Sequence, residues 1–210
     1  MSNSFAKVDC LIRILDDDQE LLEALEFALT NKGWPCKCYS DAETFFKELD
    51  PQQPGCLLLD IQMPQMDGLE VQRKLERLGN GLTIIFMSNY GTLDTAVKAF
   101  RGGAFDFFKK PIVPDELFAA IERGVCKDRA RLEAKFESSP AGKLEKLTDR
   151  ERQVAGDLAQ GLPSSLISEH LGISERTLER HRQNILKKFD ALTLQEFREA
   201  VSYTHLRAHE

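Results

Sequence analysis

Five residues whose side chains could do chemistry stand at the ends of short apolar runs in the first half of the sequence. They are Asp16, Asp17, Asp60, Ser88 and Lys110. Carboxylates packed closely repel one another and raise each other's pKa, but a divalent cation among them allows them to stay ionised. Mg²⁺ prefers oxygen ligands and commonly combines one or two carboxylates with phosphate oxygens. Brought together, these side chains predict a magnesium-dependent phosphoryl site.

Each of these groups has a defined role in such chemistry. A carboxylate such as that of Asp60 can be the nucleophile that accepts a phosphoryl group. The Lys110 ammonium can pair with the anion, and the Ser88 hydroxyl can donate a hydrogen bond to a phosphoryl oxygen. Taken alone, a run of three Asp is more often a solvated turn, and Lys-Pro is a weak signal. The prediction depends on all of them standing at successive strand ends.

The segments that must position these residues alternate between strand and helix patterns. Strands are predicted at residues 8–15, 36–39, 56–60, 82–88 and 105–110, and helices at 19–31, 41–49, 67–78, 92–103 and 115–125. Asp41 can cap a helix, and Gly33 stands where a helix-ending glycine is expected. Near-continuous apolar strands indicate an α/β fold with a doubly wound, five-stranded parallel sheet covered on both faces. In such sheets the ligand site lies beyond the carboxyl ends of the strands.

Residues 8–125 resemble the receiver domain of two-component response regulators, which has a flavodoxin-like fold. The resemblance is carried by Asp16-Asp17, Asp60 with the IQMPQMDG stretch after it, Ser88, Phe107 and Lys110-Pro111. It implies that a sensor histidine kinase transfers a phosphoryl group to Asp60 in the presence of Mg²⁺. The chain would then be a phosphoacceptor that promotes only its own phosphorylation and dephosphorylation, and not an enzyme acting on other substrates.

The same resemblance implies a ligand set for the metal. Asp17 and Asp60 bind Mg²⁺ directly, Asp16 acts mainly through water, and the backbone carbonyl of Gln62 completes the protein ligands. Gln62 and Tyr90 also occupy positions that, in the family, tune how long the phosphoryl group lasts.

The second half of the chain has the pattern of a helix-turn-helix. Thr148 followed by Glu151 fits a capping box, and Gly161 ends the helix that it starts. A second helix begins at Ser164 or Ser165 and ends at Gly172. A third helix is predicted over residues 174–189, and a fourth over 193–201.

The third predicted helix is basic, with five Lys or Arg and two Glu between residues 174 and 189, a local charge of +3. A charged helix alone is usually a solvated face. Here the preceding turn and the apolar pattern favour a recognition helix that enters the major groove of DNA.

This region, residues 147–201, resembles the LuxR-type four-helix DNA-binding domain of the FixJ and NarL groups of response regulators. The motifs that carry the resemblance are LTDRERQV, GLPSSLISEHLGIS and RTLERHRQNILKK, with Ser168 where alanine is more usual. By position, Glu179, Arg180 and Gln183 face base edges, with Thr177 in the same set of DNA contacts. The candidates for phosphate contacts are Arg176, Arg182, Lys187 and Lys188.

The whole chain divides, on this interpretation, into a receiver domain (1–125), a linker (126–146), a DNA-binding domain (147–201) and a tail (202–210). The receiver segment carries 13 Lys and Arg and 20 Asp and Glu, a net charge of −7, whereas residues 126–210 carry +1. The linker pattern predicts a helix extension with a solvated charged face, followed by a flexible stretch at Ser-Ser-Pro-Ala-Gly. The tail SYTHLRAHE resembles a translated sequencing adapter, and a short natural tail is the alternative.

The composition is that of a globular protein, with 42% hydrophobic and 30% charged residues among 210. No apolar run approaches the ~20 residues that a membrane-spanning helix needs, and the N-terminus lacks a secretory pattern. We therefore expect a cytoplasmic protein with no membrane partner. The five scattered cysteines and four histidines have no zinc-binding spacing, so reduced and mostly buried thiols are expected.

These observations predict a transcription regulator controlled by phosphorylation. Its expected partners are a sensor histidine kinase, double-stranded DNA, a second copy of the chain after phosphorylation, and RNA polymerase. One alternative is a signalling module whose second half binds protein, from which salt-dependent DNA binding would separate it. Another is an aspartyl-phosphate hydrolase of the haloacid dehalogenase type. That fold typically carries DxD at the end of the first strand, whereas Asp60 is at the end of the third predicted strand.

Overall fold

The computed structural model describes the backbone of residues 9–89 and 92–207, and the side chains of these residues as far as 202. The chain divides into two compact units, residues 1–132 and 133–210. None of the described helices is both long and apolar enough to cross a lipid bilayer.

The first unit contains a parallel sheet of five strands in the order β2-β1-β3-β4-β5. The strands are β1 Leu11–Leu15, β2 Cys36–Tyr39, β3 Gly55–Asp60, β4 Thr83–Ser88 and β5 Asp106–Lys109. The helices are α1 Gln19–Asn31, α2 Ala42–Lys47, α3 Gly68–Arg77, α4 Leu93–Arg101 and α5 Pro114–Ser138. The predicted doubly wound fold is therefore confirmed. Residue 8, the predicted start of the first strand, lies outside the described residues.

Two apolar clusters, one on each face of the sheet, explain why the strand sequences are almost continuously apolar. All six residues of β3 are buried. Leu58 packs with α1 and α5 residues, including Leu22 and Ile121, whereas its neighbours Leu57 and Leu59 pack in the cluster on the other face. Because successive side chains of a strand point to opposite faces, covering both faces requires apolar residues at every position.

Acidic and hydroxyl caps start the helices that flank the sheet. The side chains of Asp18, Asp41, Asp67 and Thr92 each accept a hydrogen bond from a backbone N–H in the first turn of the helix they precede. These bonds satisfy N–H groups that have no partner within a helix. The predicted cap at Asp41 is confirmed. Gly33, at φ 78°, follows the end of α1 as predicted.

The helix α5 continues far beyond residue 125, and one of its charges lies inside the protein. The charged residues after 125 were expected on a solvated face, and for Asp128 that prediction is wrong because its side chain is fully buried. It accepts hydrogen bonds from the Gly55 backbone N–H at 3.1 Å and from Arg131 Nε at 2.9 Å. Arg13, also buried, donates from the same end of the sheet to the backbone carbonyls of Asp50 and Gln53.

The second unit is helical. It contains the end of α5 and the helices α6 Pro140–Glu145, α7 Asp149–Ala159, α8 Ser164–Leu171, α9 Glu175–Phe189 and α10 Leu194–Arg207. The capping box of Thr148 and Glu151 is present as predicted. Gly172 ends α8 in the left-handed conformation at φ 62°, and the Ser174 side chain caps α9, so the predicted turn is confirmed.

Two features of this unit differ from the sequence expectation. Residues 140–145, which begin within the Ser-Ser-Pro-Ala-Gly stretch expected to be flexible, form the short helix α6, because Ser139 caps it and Leu144 packs against the apolar cluster of the unit. The helix α10 continues to Arg207, so the first part of the predicted tail is helical, and residues 208–210 lie outside the described part of the chain. On α8, the buried Ser168 hydroxyl has no hydrogen-bond partner among the described residues.

Candidate functional site

Three carboxylates meet at the carboxyl end of the sheet. Asp16 follows β1, Asp17 is the next residue, and Asp60 is the last residue of β3, the strand beside β1. One oxygen from each carboxylate lies within 4.8 Å of the others. Asp16 and Asp60 are buried, whereas Asp17 is exposed, so the cluster opens to solvent on one side. The three predicted carboxylates thus lie together.

Lys110 joins the two buried carboxylates. Its Nζ lies 2.7 Å from Asp16 Oδ2 and 2.7 Å from Asp60 Oδ1. Burial alone would lower the pKa of Lys110, but its hydrogen bonds to Asp16 and Asp60 raise it above the ordinary value. Burial raises the pKa of Asp16, partly offset by the hydrogen bond from Lys110. The lysine therefore stays charged between two acidic groups that would otherwise repel each other.

The backbone around Asp60 fixes the position of its carboxylate. The Gln62 N–H donates to Asp60 Oδ2 at 2.5 Å, and the Gly68 N–H donates to the Ile61 carbonyl at 2.9 Å. A Cβ on Gly68 would lie only 2.2 Å from the Asp60 carbonyl oxygen, so α3 can begin this close to the strand end only with glycine. Asp67 and Glu70 form the capping box that starts α3 there. The local sequence pattern gives no signal for this close contact, because it joins the start of a helix to the backbone of the preceding strand.

The carboxylate cluster has the chemistry of a magnesium site. Its donor atoms are all oxygens, and Mg²⁺ is commonly held by one or two carboxylates, phosphate oxygens and several waters. The exposure of Asp17 leaves one side of the cluster open to water and to a phosphoryl group. The residues present therefore fit the metal, with Asp16, Asp17 and Asp60 as the groups that would hold it.

Other residues predicted for this site lie near the same sheet edge. Ser88 is buried at the end of β4, where its carbonyl accepts a hydrogen bond from the Lys110 N–H at 2.8 Å. Phe107 on β5 is half-buried, and its ring centroid lies 6.4 Å from that of Phe86. Gln62 is exposed next to Asp60. Tyr90 lies outside the described residues.

The residues predicted to contact DNA lie on α9 and differ in exposure. Six of them are exposed: Arg176, Thr177, Glu179, Arg180, Gln183 and Lys187. Thr177 also takes part in the cap of α9, since its N–H donates to Ser174 Oγ at 3.1 Å. Glu179 accepts a hydrogen bond from Gln183 at 3.2 Å and lies 3.5 Å from Arg182, so these side chains are paired with one another along the helix.

Lys188 contacts other groups of the protein, whereas the sequence predicts that it contacts a DNA phosphate. Its Nζ lies 2.6 Å from Glu151 Oε2 and donates to the Lys146 carbonyl at 3.0 Å. Burial alone would raise the pKa of the Glu151 carboxyl, but hydrogen bonds from Lys188 and Thr148 lower it from 4.5 to about 2. The pair connects the start of α7 to the end of α9.

The Glu151–Lys188 pair makes the free energy of unfolding of the second unit depend on pH. Because the folded-state pKa of Glu151 is depressed, its contribution is present above about pH 4.5 and is lost as the pH falls toward 2. We expect Glu151→Gln to lower the free energy of unfolding by about 1–2 kcal/mol at pH 7, and by much less near pH 2. Chemical unfolding followed by circular dichroism would measure this. Glu169→Gln, at an exposed position on α8, should leave the pH profile unchanged, and a Glu151→Gln effect that is equal at both pH values would contradict the assignment.

Comparison with known proteins gives matches over both units. The model for the response regulator receiver domain matches residues 12–122, and the model for bacterial regulatory proteins of the luxR family matches residues 145–199. The response regulator protein TmoT of Ectopseudomonas mendocina is 39% identical over 189 residues, covering 90% of this chain and 86% of TmoT. The solved structure of the response regulator StyR is 32% identical, with a TM-score of 0.64, and the match covers 93% of this chain and 100% of that one. Full-length FixJ from B. japonicum is 31% identical, with a TM-score of 0.54 and coverage of 94% and 98%.

Proposed function

The chain belongs to the two-component response regulators that join a receiver domain to a LuxR-type DNA-binding domain, and on this premise we propose that phosphorylation of Asp60 controls its binding to specific DNA sites. Its two domains make it a regulator of transcription. The observation that carries the proposal is the cluster of Asp16, Asp17, Asp60 and Lys110 at the carboxyl end of the sheet. Its proposed partners are a sensor histidine kinase, double-stranded DNA, a second copy of the chain and RNA polymerase.

The proposed reaction is a phosphoryl transfer from a phosphohistidine of the kinase. An Asp60 carboxylate oxygen attacks phosphorus, the N–P bond breaks, and the histidine leaves with the electron pair of that bond. Lys110 pairs with the phosphoryl oxygens, and Ser88 donates a hydrogen bond to one of them. Asp17, Asp60 and the Gln62 carbonyl would hold Mg²⁺ directly and Asp16 mainly through water, and the metal would supply positive charge that neutralises the phosphoryl oxygens. In this reaction the chain itself receives the phosphoryl group.

The proposed switch is a local change of charge that biases two conformations of the receiver. Ser88 moves toward the phosphoryl group, and Phe107 turns inward into the space that is vacated. Shifting such an equilibrium from 1:99 to 99:1 requires about 5.5 kcal/mol of differential stabilisation. Phe107 is half-buried beside Phe86. This position supports the proposal that its ring can turn between an outward and an inward orientation.

The surface of α4 supports dimerisation as the outcome of the switch. Leu93, Val97 and Phe100 are 80%, 37% and 50% exposed, and their spacing puts them on one side of the helix. A contiguous apolar strip of this kind is typical of a protein interface. Val113, before α5, is also exposed. A dimer through α4, β5 and α5 would align two α9 helices on half-sites about one helical turn apart or a multiple of it.

DNA binding by the full chain, with and without acetyl phosphate as phosphodonor, tests the proposal. We expect acetyl phosphate to produce dimers in sedimentation analysis and sequence-specific footprints that weaken steeply with salt. Phe100→Glu should keep the chain monomeric and weaken specific binding by about tenfold or more, since like charges would meet across the interface. Phe27→Glu, which changes a 72% exposed phenylalanine on α1, is the matched control and should behave as wild type. Footprints that are absent in both states would contradict the DNA-binding proposal.

A further inference from the structure

Lys143 lies on α6, outside the helix-turn-helix, but its side chain reaches the carboxyl end of α9. Its Nζ donates to the Phe189 carbonyl oxygen at 2.9 Å and to Asp190 Oδ2 at 2.9 Å. The last carbonyls of a helix have no partner within the helix. A lysine near this end satisfies one of them and interacts favourably with the helix dipole. The side chain of Lys143 is only 20% exposed, so these contacts occupy its charged group.

The end of α9 is fixed from a second direction by the apolar core. Phe189 is buried, and its ring packs edge-on against Phe197 of α10 with a centroid distance of 4.9 Å. Asp190 has φ 54°, a left-handed conformation that is uncommon for a residue other than glycine. The ion pair with Lys143 stabilises this conformation from the solvent side. A polar contact from Lys143 and an apolar contact from Phe197 thus meet at the end of α9.

The helix α6 is itself held in place, so the backbone of Lys143 has a fixed position. Ser139 Oγ accepts a hydrogen bond from the Gly142 N–H at 3.1 Å. A Cβ on Gly142 would lie 2.1 Å from the Phe136 carbonyl oxygen, so the chain can turn back this tightly only with glycine. Leu144 packs against the apolar cluster of the second unit. The lysine therefore extends from a short but anchored helix.

We propose that Lys143 is a positioning residue for DNA recognition, which acts by holding the carboxyl end of α9 and not by contacting phosphate. The inference rests on the proposed function, because α9 is the helix proposed to read DNA. It assigns to the connecting segment a role in sequence recognition. Since its ammonium group is already bonded to two protein oxygens, its removal changes the geometry of α9 rather than the charge offered to the DNA backbone.

Salt dependence separates these two roles. A lysine that binds phosphate contributes to the affinity for every sequence, and its loss reduces the slope of log affinity against log salt by about 1. A lysine that positions the recognition helix contributes to the affinity for the specific sequence and leaves that slope unchanged. The ratio of specific to non-specific affinity is therefore the decisive quantity.

The test uses the full chain treated with acetyl phosphate and two DNA probes. One is a duplex recovered from a random-sequence pool by the wild-type chain, and the other is poly(dI-dC). We expect Lys143→Met to weaken binding to the first by roughly threefold to thirtyfold with an unchanged salt slope, and to leave poly(dI-dC) binding as it was. Lys143→Arg, which keeps the charge, should recover most of the loss. An equal loss on both probes with a reduced slope, or no loss at all, would overturn the proposal.

Two control variants define the comparison. Lys146→Met removes a neighbouring charge whose ion pair with Glu137 lies on the surface, and it should bind both probes like wild type. Lys187→Met removes an exposed lysine of α9, and it should show the reduced slope of a phosphate contact. Specific binding lost equally in the Lys143 and Lys146 variants would count against a positioning role.

Amide hydrogen exchange gives a readout that needs no DNA. The Asp190 and Ala191 N–H groups donate to the Lys187 and Leu186 carbonyls, so they report on the end of α9. We expect these amides to exchange faster in Lys143→Met, while amides of α7 stay protected as evidence that the unit is folded. Unchanged exchange at both amides would refute the capping role. Wild-type chain that binds neither probe would instead contradict the proposed function, and the exchange result would still decide whether Lys143 holds the helix.

Discussion

Replacing Asp60 with Asn is expected to abolish phosphorylation of the chain by a small phosphodonor. The neutral amide of Asn has no anionic oxygen to attack phosphorus, whereas Asp16 and Asp17, which stay intact, lie at the end of a different strand. Lys110 would keep its 2.7 Å contact with Asp16, so the local fold should persist. Incorporation of label from radioactive acetyl phosphate in the presence of Mg²⁺ would measure this, and we expect a fall to background.

Asp115→Asn is the matched control for this experiment. Asp115 is an exposed carboxylate in the first turn of α5, so its loss removes the same charge from the receiver without changing the cluster. The control should label at the wild-type level. Full labelling of Asp60→Asn would show that another residue is the acceptor, and the assignment of the site would then be wrong.

Replacing Asp128 with Ala is expected to lower the free energy of unfolding of the receiver by about 2–4 kcal/mol. The change leaves the buried Gly55 N–H without its acceptor and removes the negative charge near the buried Arg13. Removing one member of a buried charged network costs more than losing a surface pair, because the remaining groups stay desolvated. Arg131 is 28% exposed and can turn to water, so the cost should not reach the upper limit for a fully buried pair.

The single tryptophan of the sequence makes this measurement specific to the receiver. Trp34 is buried in the cluster that contains Leu58 and Ile121, so its fluorescence follows the unfolding of that unit within the full chain. Urea titration of Asp128→Ala should show a lower midpoint than wild type. Glu122→Ala, at an exposed position on the same helix, should stay within about 0.5 kcal/mol. A wild-type midpoint for Asp128→Ala would mean that the buried contacts contribute little.

The sheet and the acidic cluster could be predicted from the sequence because their signals are local. Asp60 follows an apolar run, and parallel strands place their carboxyl ends at one edge, so the meeting of Asp60 with Asp16 follows from topology alone. The exposed charges of α9 and the turn at Gly172 could likewise be predicted from short sequence patterns.

The contacts that could not be predicted join residues distant in the sequence. Gly55 and Asp128 are 73 residues apart, Glu151 and Lys188 are 37 apart, and Lys143 and Phe189 are 46 apart. A charged residue in a helical pattern looks the same whether it faces water or a buried backbone group. Only the packing of the elements decides between a solvated face and a buried partner, which is why Asp128 was assigned to the surface.

The close approach of Gly68 to the Asp60 carbonyl limits how the receiver could respond to the proposed phosphorylation. Because α3 starts directly behind the end of β3, the Asp60 backbone has no room to move toward Gly68. On the proposed function, the added bulk and charge would therefore be accommodated on the opposite side, by β4 and by the segment that carries Lys110 into α5. Asp60 would then be the stationary partner of the proposed reaction, and the neighbouring strand ends would be the parts that move.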